Sequence, residues 1–384
     1  ISKKEVIFHN NKKKESLIKT IIRDGHLILL KYIMSENSPL KWIAFETTKL
    51  CNLNCIHCRS KNPDLKYKDM DTKNIFLLMD RVAEFSKPVF VLSGGEPLLR
   101  NDIFEIASYG NSLGFKMAMA TNGTLVSDDI CEKIKESGIR ICSISLDGSN
   151  SYIHDSFRRQ SGSFDGVIKA TEMFKKHSIP FIINSSFTKK NQSDIENTYR
   201  LAKKLGAAAW YMFIVLPVGN AKEDMEEIIS KEDYEKILEW HFDMEISEKD
   251  MKVRPTCAPS YYRIFAEKSK RMGKNLERRK LSFSPDGSKG CVAAESIAYI
   301  DAYGNFYPCS YFPEPAGNIF EKSVKELWNS EIFSSIRDTS KYIGDCGVCE
   351  YKKICQGCRV RSAVYNGNYL SKDPFCDYKP KNNH

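Results

Sequence analysis

Apolar and polar positions change their period repeatedly along the chain. Short runs rich in β-branched and aromatic residues alternate with longer stretches of helical period. The short runs predict strands over residues 42–46, 89–92, 116–120, 139–145, 181–186 and 210–215. The longer stretches predict helices that include 72–85, 102–113, 127–136, 164–177 and 194–205. Gly114, Gly138 and Gly206 stand where three of these helices should stop. Six β–α units in succession imply a parallel sheet with right-handed crossovers. Such a sheet can curl into a full or partial barrel, with its chemistry at the C-terminal ends of the strands.

The flanks read differently. Residues 1–40 open with the basic run Lys12-Lys13-Lys14 and continue into an amphipathic stretch, read as a floppy lead and one helix. The apolar part of that stretch, 17–34, carries Lys19, Arg23, Asp24 and Lys31, too many interruptions for a membrane span. Residues 223–250 are acidic and helical, a linker and packing helix whose charges make a solvated face. The expected division is an N-terminal extension over 1–40, a barrel over 41–250 and a small cysteine-rich domain over 251–384.

Composition narrows the class. A chain of 384 residues exceeds one ordinary core and suits two or three domains. Hydrophobic residues at 42% and charged residues at 28% describe a globular chain. The net charge of +9 favours acidic ligands, but no aromatic–basic recognition pattern points to nucleic acid. Thirteen cysteines with no secretory leader, several in C-x2-C pairs, argue for metal in a reducing, cytoplasmic compartment rather than for disulfides.

The candidate chemistry starts directly after the first predicted strand. Cys51, Cys55 and Cys58 have the spacing C-x3-C-x2-C. A loop leaving a strand can fold three such side chains toward one point. Three thiolates hold three irons of a [4Fe–4S] cluster and leave the fourth iron open. Three reduced thiols or a zinc site are the alternatives. Zinc calls for four ligands from paired motifs, and no such pair lies nearby.

These three cysteines resemble the signature of the radical S-adenosylmethionine (SAM) enzymes. The resemblance implies a partial (β/α)6 barrel of the TIM type. It also implies that the open iron chelates the amino and carboxylate groups of SAM, and that one electron cleaves SAM to methionine and a 5′-deoxyadenosyl radical. His57 stands where the family often has an aromatic residue. After the second strand comes Ser93-Gly94-Gly95-Glu96-Pro97. Two glycines let backbone approach a ligand closely, and Glu96 supplies an acceptor for an ammonium; a plain turn is the alternative. At this interval it is similar to the family's G-G-E-P motif, which holds the SAM amino group. Thr121-Asn122-Gly123 after the third strand is by itself a turn; the resemblance places Thr121 and Asn122 beside the sulfonium and ribose. Ser145-Leu146-Asp147-Gly148 and His154-Asp155-Ser156-Phe157-Arg158 match a pattern whose Ser and Arg contact SAM, here Ser145 and Arg158. The Arg158 fork suits a carboxylate, with a surface ion pair as the plainer role. Asn184 matches a position that lines the same site. Cys131 and Cys142 are read as small buried residues. No residue is singled out as catalytic.

Eight cysteines remain: Cys257, Cys291, Cys309, Cys346, Cys349, Cys355, Cys358 and Cys376. Eight fill two closed four-thiolate sites, although two C-x2-C pairs could also make a zinc ribbon. Residues 300–309, with Gly304 at the bend, read as a hairpin delivering Cys309. The region is similar to the SPASM extension of radical SAM enzymes, which carries auxiliary [4Fe–4S] clusters. That resemblance assigns Cys291, Cys309, Cys358 and the distant Cys257 to one cluster. It assigns Cys346, Cys349, Cys355 and Cys376 to the other. Thr256-Cys257-Ala258-Pro259-Ser260-Tyr261-Tyr262-Arg263, Lys289-Gly290-Cys291, Gly317-Asn318-Ile319, Cys358-Arg359-Val360-Arg361 and Asp373-Pro374-Phe375-Cys376 form a set. So do Cys58-Arg59 and Pro217-Val218-Gly219. The set resembles the subgroup that modifies tetrapyrrole side chains in siroheme-dependent heme formation.

The resemblance implies a carboxylate-rich iron tetrapyrrole substrate, loss of acetate or propionate carboxyl groups, and a flavodoxin- or ferredoxin-type electron donor. Arg263, Arg359 and Arg361, close in sequence to the candidate ligands, are offered as carboxylate partners, or else as braces of the cluster domain. The alternatives are a SPASM maturase acting on a ribosomal peptide or protein, and a zinc-ribbon binding protein without SAM chemistry. Neither a nucleic-acid partner nor a membrane span is expected.

Overall fold

A computed structural model describes residues 40–60, 67–273, 276 and 289–381. The helix expected before residue 40 lies outside the described residues. Ten strands form one sheet in the order β10-β9-β8-β1-β2-β3-β4-β5-β6-β7. The first six are β1 (Trp42–Thr48), β2 (Val89–Gly94), β3 (Lys116–Thr121), β4 (Ile141–Ser145), β5 (Phe181–Phe187) and β6 (Ala209–Ile214). Each pairs with the next in parallel, so this is the expected partial barrel of β–α units. The intervening helices are α1 (Thr72–Phe85), α2 (Ile103–Ser112), α3 (Asp128–Glu136), α4 (Ser151–Arg158), α5 (Ser163–Lys176) and α6 (Ile195–Lys204). Of these, α4 has no counterpart in the sequence reading. It is eight residues long, and what starts it is local: Asn150 at its N-cap accepts from Ile153 N at 3.1 Å.

Alternation along the strands gives the sheet two faces. Ile43, Phe45, Phe90, Leu92, Met117, Met119, Cys142, Ile144, Ile183, Trp210 and Met212 belong to the large core shared with the helices. Cys131 joins them there, so both cysteines outside the motifs are core residues. On the opposite face Val91, Ala118 and Ile141 make a small apolar floor. Farther along the same strands that face turns polar, with Glu46, Ser93, Ser145 and Asn184 near the C-terminal ends. A polar layer above an apolar floor is where a small ligand can be gripped.

The sheet continues beyond six strands. After α7 (Lys231–Ser247), β7 (Lys252–Thr256) pairs with β6. The chain then crosses to the other edge, where β8 (Ile297–Ile300) pairs in parallel with β1. β9 (Asn305–Tyr307) folds back on β8 in the expected hairpin, and β10 (Gly317–Asn318) follows. The boundary expected at 250 therefore does not end the sheet. Among the described residues no helix is long and apolar enough to cross a membrane.

Candidate active site

The Cys51–Cys58 segment leaves β1 and is gripped from four directions. Gly95 N donates to Thr48 O at 2.7 Å and Glu96 N to Leu50 O at 2.8 Å. Asn122 Nδ2 donates to Asn52 Oδ1, and Asn52 Nδ2 to Thr124 Oγ1, both at 2.8 Å. Ile56 N donates to Phe157 O at 3.2 Å. From the end of β6, Asn220 N reaches Cys58 O at 2.8 Å and Asn220 Nδ2 reaches Cys55 O at 3.0 Å. Gly219, at φ 58°, passes so close that a Cβ there would sit 2.3 Å from Cys58 O. Nothing in the sequence marks Asn52 or Thr124 for this role. The signal for Asn220 was its place after Pro217-Val218-Gly219.

The Gly94-Gly95-Glu96-Pro97 turn packs against the root of the cysteine loop. A Cβ on Gly95 would lie 2.0 Å from Leu50 O, and one on Gly94, at φ 133°, would lie 2.3 Å from Thr48 O. The close approach is therefore to the root of the cysteine loop. Glu96 is fully buried. It accepts from Thr121 Oγ1 at 2.8 Å, Asn122 N at 2.7 Å and Leu98 N at 3.2 Å. Both oxygens tie β2's end to β3's. Pro97 starts the short turn that follows. Thr121 and Asn122 sit at the expected strand end, and their side chains bond to Glu96, Asn52 and Thr124.

Arg158 is buried rather than on the surface. Its Nη2 lies 2.6 Å from Asp147, and its Nη1 lies 3.5 Å from Cys55 Sγ. Asp147, at the end of β4, also accepts from Ser186 N at 2.7 Å. His154 Nδ1 accepts from Asp147 N at 3.1 Å. Burial, with the neighbouring Arg158 charge, lowers the His154 pKa to about 3, so the ring is neutral. His57 is likewise lowered by burial, then by Arg158, and its ring stacks on Phe157 at 4.6 Å. Ser145 and Asn184 pair across β4 and β5. Asn184 Oδ1 is buried without a partner, an acceptor that a ligand could satisfy.

The sulfurs are met by donors. The N–H two residues on points at Cys51 from Leu53 and at Cys349 from Tyr351, each at 3.4 Å. Backbone N–H groups two residues on also oppose the upward push of burial on the thiols of Cys291, Cys309, Cys355, Cys358 and Cys376. Cys346 Sγ receives Asp373 N at 3.4 Å. Cys58 differs, with Sγ 2.9 Å from Ser60 O. Donors aimed at sulfur suit thiolates, and hydrogen bonds to cluster sulfurs are one of the levers on an iron–sulfur centre. Without a cation, burial pushes the Cys51 thiol up to about 11, and Glu96, Cys55 and Cys58 push the same way. Such crowded, desolvated thiols fit a cationic metal centre.

The eight C-terminal cysteines fall into two groups. Burial pushes the Cys257 thiol well up, and the charges of Cys358, Cys309 and Cys291 add to it. Cys291 and Cys309 feel Cys358 in the same way. Cys346, Cys349, Cys355 and Cys376 instead line one cavity with Arg263 and Asp373.

The three arginines offered as carboxylate partners are committed elsewhere. Arg361 is fully buried and makes a fork to Asp373, Nε to Oδ1 at 2.9 Å and Nη2 to Oδ2 at 2.8 Å. It also donates to Cys257 O at 2.8 Å. Arg359 donates to the carbonyls of Tyr369 and Ser371 and lies 3.7 Å from Cys346 Sγ. Arg263 pairs with Glu235 and Glu267. All three brace the cysteine-rich part.

Comparison with known proteins places this geometry. The family model described as Radical SAM superfamily matches residues 45–202, and one described as an iron-sulfur cluster-binding domain, SPASM, matches 291–359. An AdoMet-dependent heme synthase of Methanosarcina barkeri is 39% identical over 91% of this chain and 99% of its own. An Fe-coproporphyrin III synthase of the same organism is 26% identical over 91% of this chain and 90% of its own. Among solved structures, Streptococcus suis SuiB bound to S-adenosylmethionine shares the fold, with TM-score 0.69 and 18% identity over 95% of this chain and 88% of that one. The chain belongs to the radical SAM superfamily, among its SPASM-domain members, in the family that includes the AdoMet-dependent heme synthases.

Proposed function

We propose that this radical SAM enzyme removes carboxyl groups from the acetate or propionate side chains of an iron tetrapyrrole, as a step of heme formation. The observation that carries the reading is the 39% identity, over nearly the whole of both chains, to an AdoMet-dependent heme synthase. The Fe-coproporphyrin III synthase likeness supports the same substrate class.

In this reading Cys51, Cys55 and Cys58 hold a [4Fe–4S] cluster with one open iron, which when bound supplies the electron that splits SAM into methionine and a 5′-deoxyadenosyl radical. Gly94, Gly95, Glu96, Pro97, Thr121 and Asn122 fix the loop that carries those thiols. Ser145, Asn184 and Arg158 face the ligand side of that loop. Cys257, Cys291, Cys309 and Cys358 hold one auxiliary cluster, and Cys346, Cys349, Cys355 and Cys376 a second. SAM cleavage belongs to residues 41–250 and the auxiliary clusters to 251–384. A flavodoxin- or ferredoxin-type donor, acidic against this chain's net charge of +9, supplies electrons in a reducing cytoplasm.

The test is a titration of the anaerobically reconstituted protein with an iron coproporphyrin and with a decarboxylated siroheme, read by the Soret band. SAM and reductant should then give a product lighter by whole carboxyl or acetate units. If neither tetrapyrrole binds at micromolar concentration and a peptide is modified instead, the reading falls to the maturase alternative.

A further inference from the structure

With Arg263, Arg359 and Arg361 committed to internal partners, a substrate rich in carboxylates needs another cation near the reacting centre. Among the described residues, Arg59 has the position and the open edge. Arg59 follows Cys58 directly. Its guanidinium lies over the Tyr299 ring at 4.3 Å, and its Nη1 donates to Tyr299 Oη at 2.6 Å. Glu46 stands 3.8 Å from the same nitrogen, beyond a hydrogen bond, and its other oxygen accepts from Ala302 N at 3.2 Å. Among the described residues Nε and Nη2 of Arg59 have no protein partner, and 18% of the side chain remains exposed. The contrast with Arg361 is direct, since Arg361's fork is closed on Asp373 with neither side chain exposed.

The location is as informative as the open edge. Arg59 follows the last cysteine of the C-x3-C-x2-C loop, and its side chain reaches Tyr299 on β8. The hairpin of β8 and β9 leads from there to Cys309, so Arg59 bridges the loop and the strand that runs into the first C-terminal cysteine group. Stacking and a 2.6 Å hydrogen bond hold the planar group in one orientation, which lowers the ordering cost of gripping a carboxylate in two-pronged fashion.

We infer that Arg59 is a substrate-anchoring residue, gripping one carboxylate of the substrate between the SAM-side cysteines and the Cys257–Cys291–Cys309–Cys358 group. The inference rests on the proposed tetrapyrrole function and adds the residue that selects for the acid side chains. Tyr299 is a positioning residue that acts through Arg59.

The experiment is an equilibrium titration of the reconstituted protein with iron coproporphyrin III and with its tetramethyl ester, read by the Soret shift without reductant. Arg59→Gln is expected to weaken binding of the acid by about ten- to hundredfold and to leave binding of the ester at the wild-type value. Arg59→Lys should fall between, because a point charge replaces the fork. Tyr299→Phe should weaken the acid by about two- to tenfold, and it serves as the deciding variant if Arg59→Gln fails to load iron. Equal acid affinity in the wild type and in the iron-loaded variants overturns this inference alone. Failure of the wild type to bind either compound overturns the tetrapyrrole function and the inference with it.

Discussion

Three cysteines after β1 and eight in the C-terminal part are the candidate cluster ligands, but different forces hold the two backbones in place. The loop takes its shape from a sheet. Carbonyls of Thr48, Leu50, Cys55 and Cys58 accept from groups at the ends of β2 and β6. Gly94, Gly95 and Gly219 lie where a Cβ would strike that backbone. The C-terminal cysteines are held through charge. Asp373 closes the Arg361 fork, accepts from Cys358 N at 2.7 Å, and gives its own N–H to Cys346. One buried carboxylate thus ties both C-terminal groups together. A site shaped by backbone contact resists changes of charge and is broken by added volume or lost ligands. A site shaped by a buried ion pair responds the other way, because removing one partner strands a charge.

The comparison predicts that the two regions fail independently. Replacing Cys51, Cys55 and Cys58 together by Ala should abolish 5′-deoxyadenosine release. Iron should fall from about twelve to about eight per chain, at about four per cluster. Release at the wild-type rate would remove the loop from the chemistry. Asp373→Ala is the converse. Stranding Arg361 in the interior should cost about 3–5 kcal/mol, and iron should drop toward about four while the loop's cluster persists. A variant that still holds about twelve irons would show that the ion pair does not hold the C-terminal region together.

These contrasts also explain what the sequence could reveal. Strands β1 to β6 and most of their helices were legible because each carries a clear period and three of the helices end on a glycine. Beyond them only the β8–β9 hairpin was legible, through Gly304 at its bend; β7 and β10 were not, being five and two residues long, with Lys252 and Arg254 on one face of β7. Gly94 and Gly95 were legible as points of close approach, but a sequence does not say what approaches, and here it is Thr48 and Leu50. Arg359 and Arg361 looked available because their partners are not neighbours in sequence. Asp373 lies twelve residues beyond Arg361 and reaches it only through the fold. The grouping of Cys257 with Cys291, Cys309 and Cys358 came from family resemblance, since no spacing rule spans that distance.

Mild acid should separate the two regions more gently. His154 sits in the loop's clamp with its pKa lowered to about 3 by burial, and no histidine lies between residues 289 and 381. The unfolded chain takes up a proton near pH 6.5 that the folded chain refuses. Stability from this group is therefore complete above pH 6.5 and falls as pH drops, by about 1.4 kcal/mol per unit. Between pH 6.5 and 5 the wild type should lose about 2 kcal/mol more than His154→Asn, whose amide oxygen can still accept from Asp147 N. Thermal unfolding at the two pH values measures the difference, and parallel losses would mean that His154 does not titrate as a buried neutral ring.

Glu96→Gln should have the smallest effect and test the loop side most closely. The amide keeps one oxygen, which can still accept from Thr121 Oγ1. Its nitrogen, however, would face Asn122 N, a donor against a donor at what is now a 2.7 Å contact. The expected loss is about 1 kcal/mol at the junction of β2 and β3, or roughly fivefold in SAM affinity, transmitted through Asn122 and Asn52 to the cysteine loop. Iron content should stay at the wild-type value, because no thiol has been touched. Equilibrium dialysis of SAM against the iron-loaded variant measures it. Were Glu96 instead the direct partner of the SAM ammonium, loss of its charge would cost about 1.5–3 kcal/mol, up to two decades in affinity. A fall of that size would return Glu96 to the ligand and take it out of the framework.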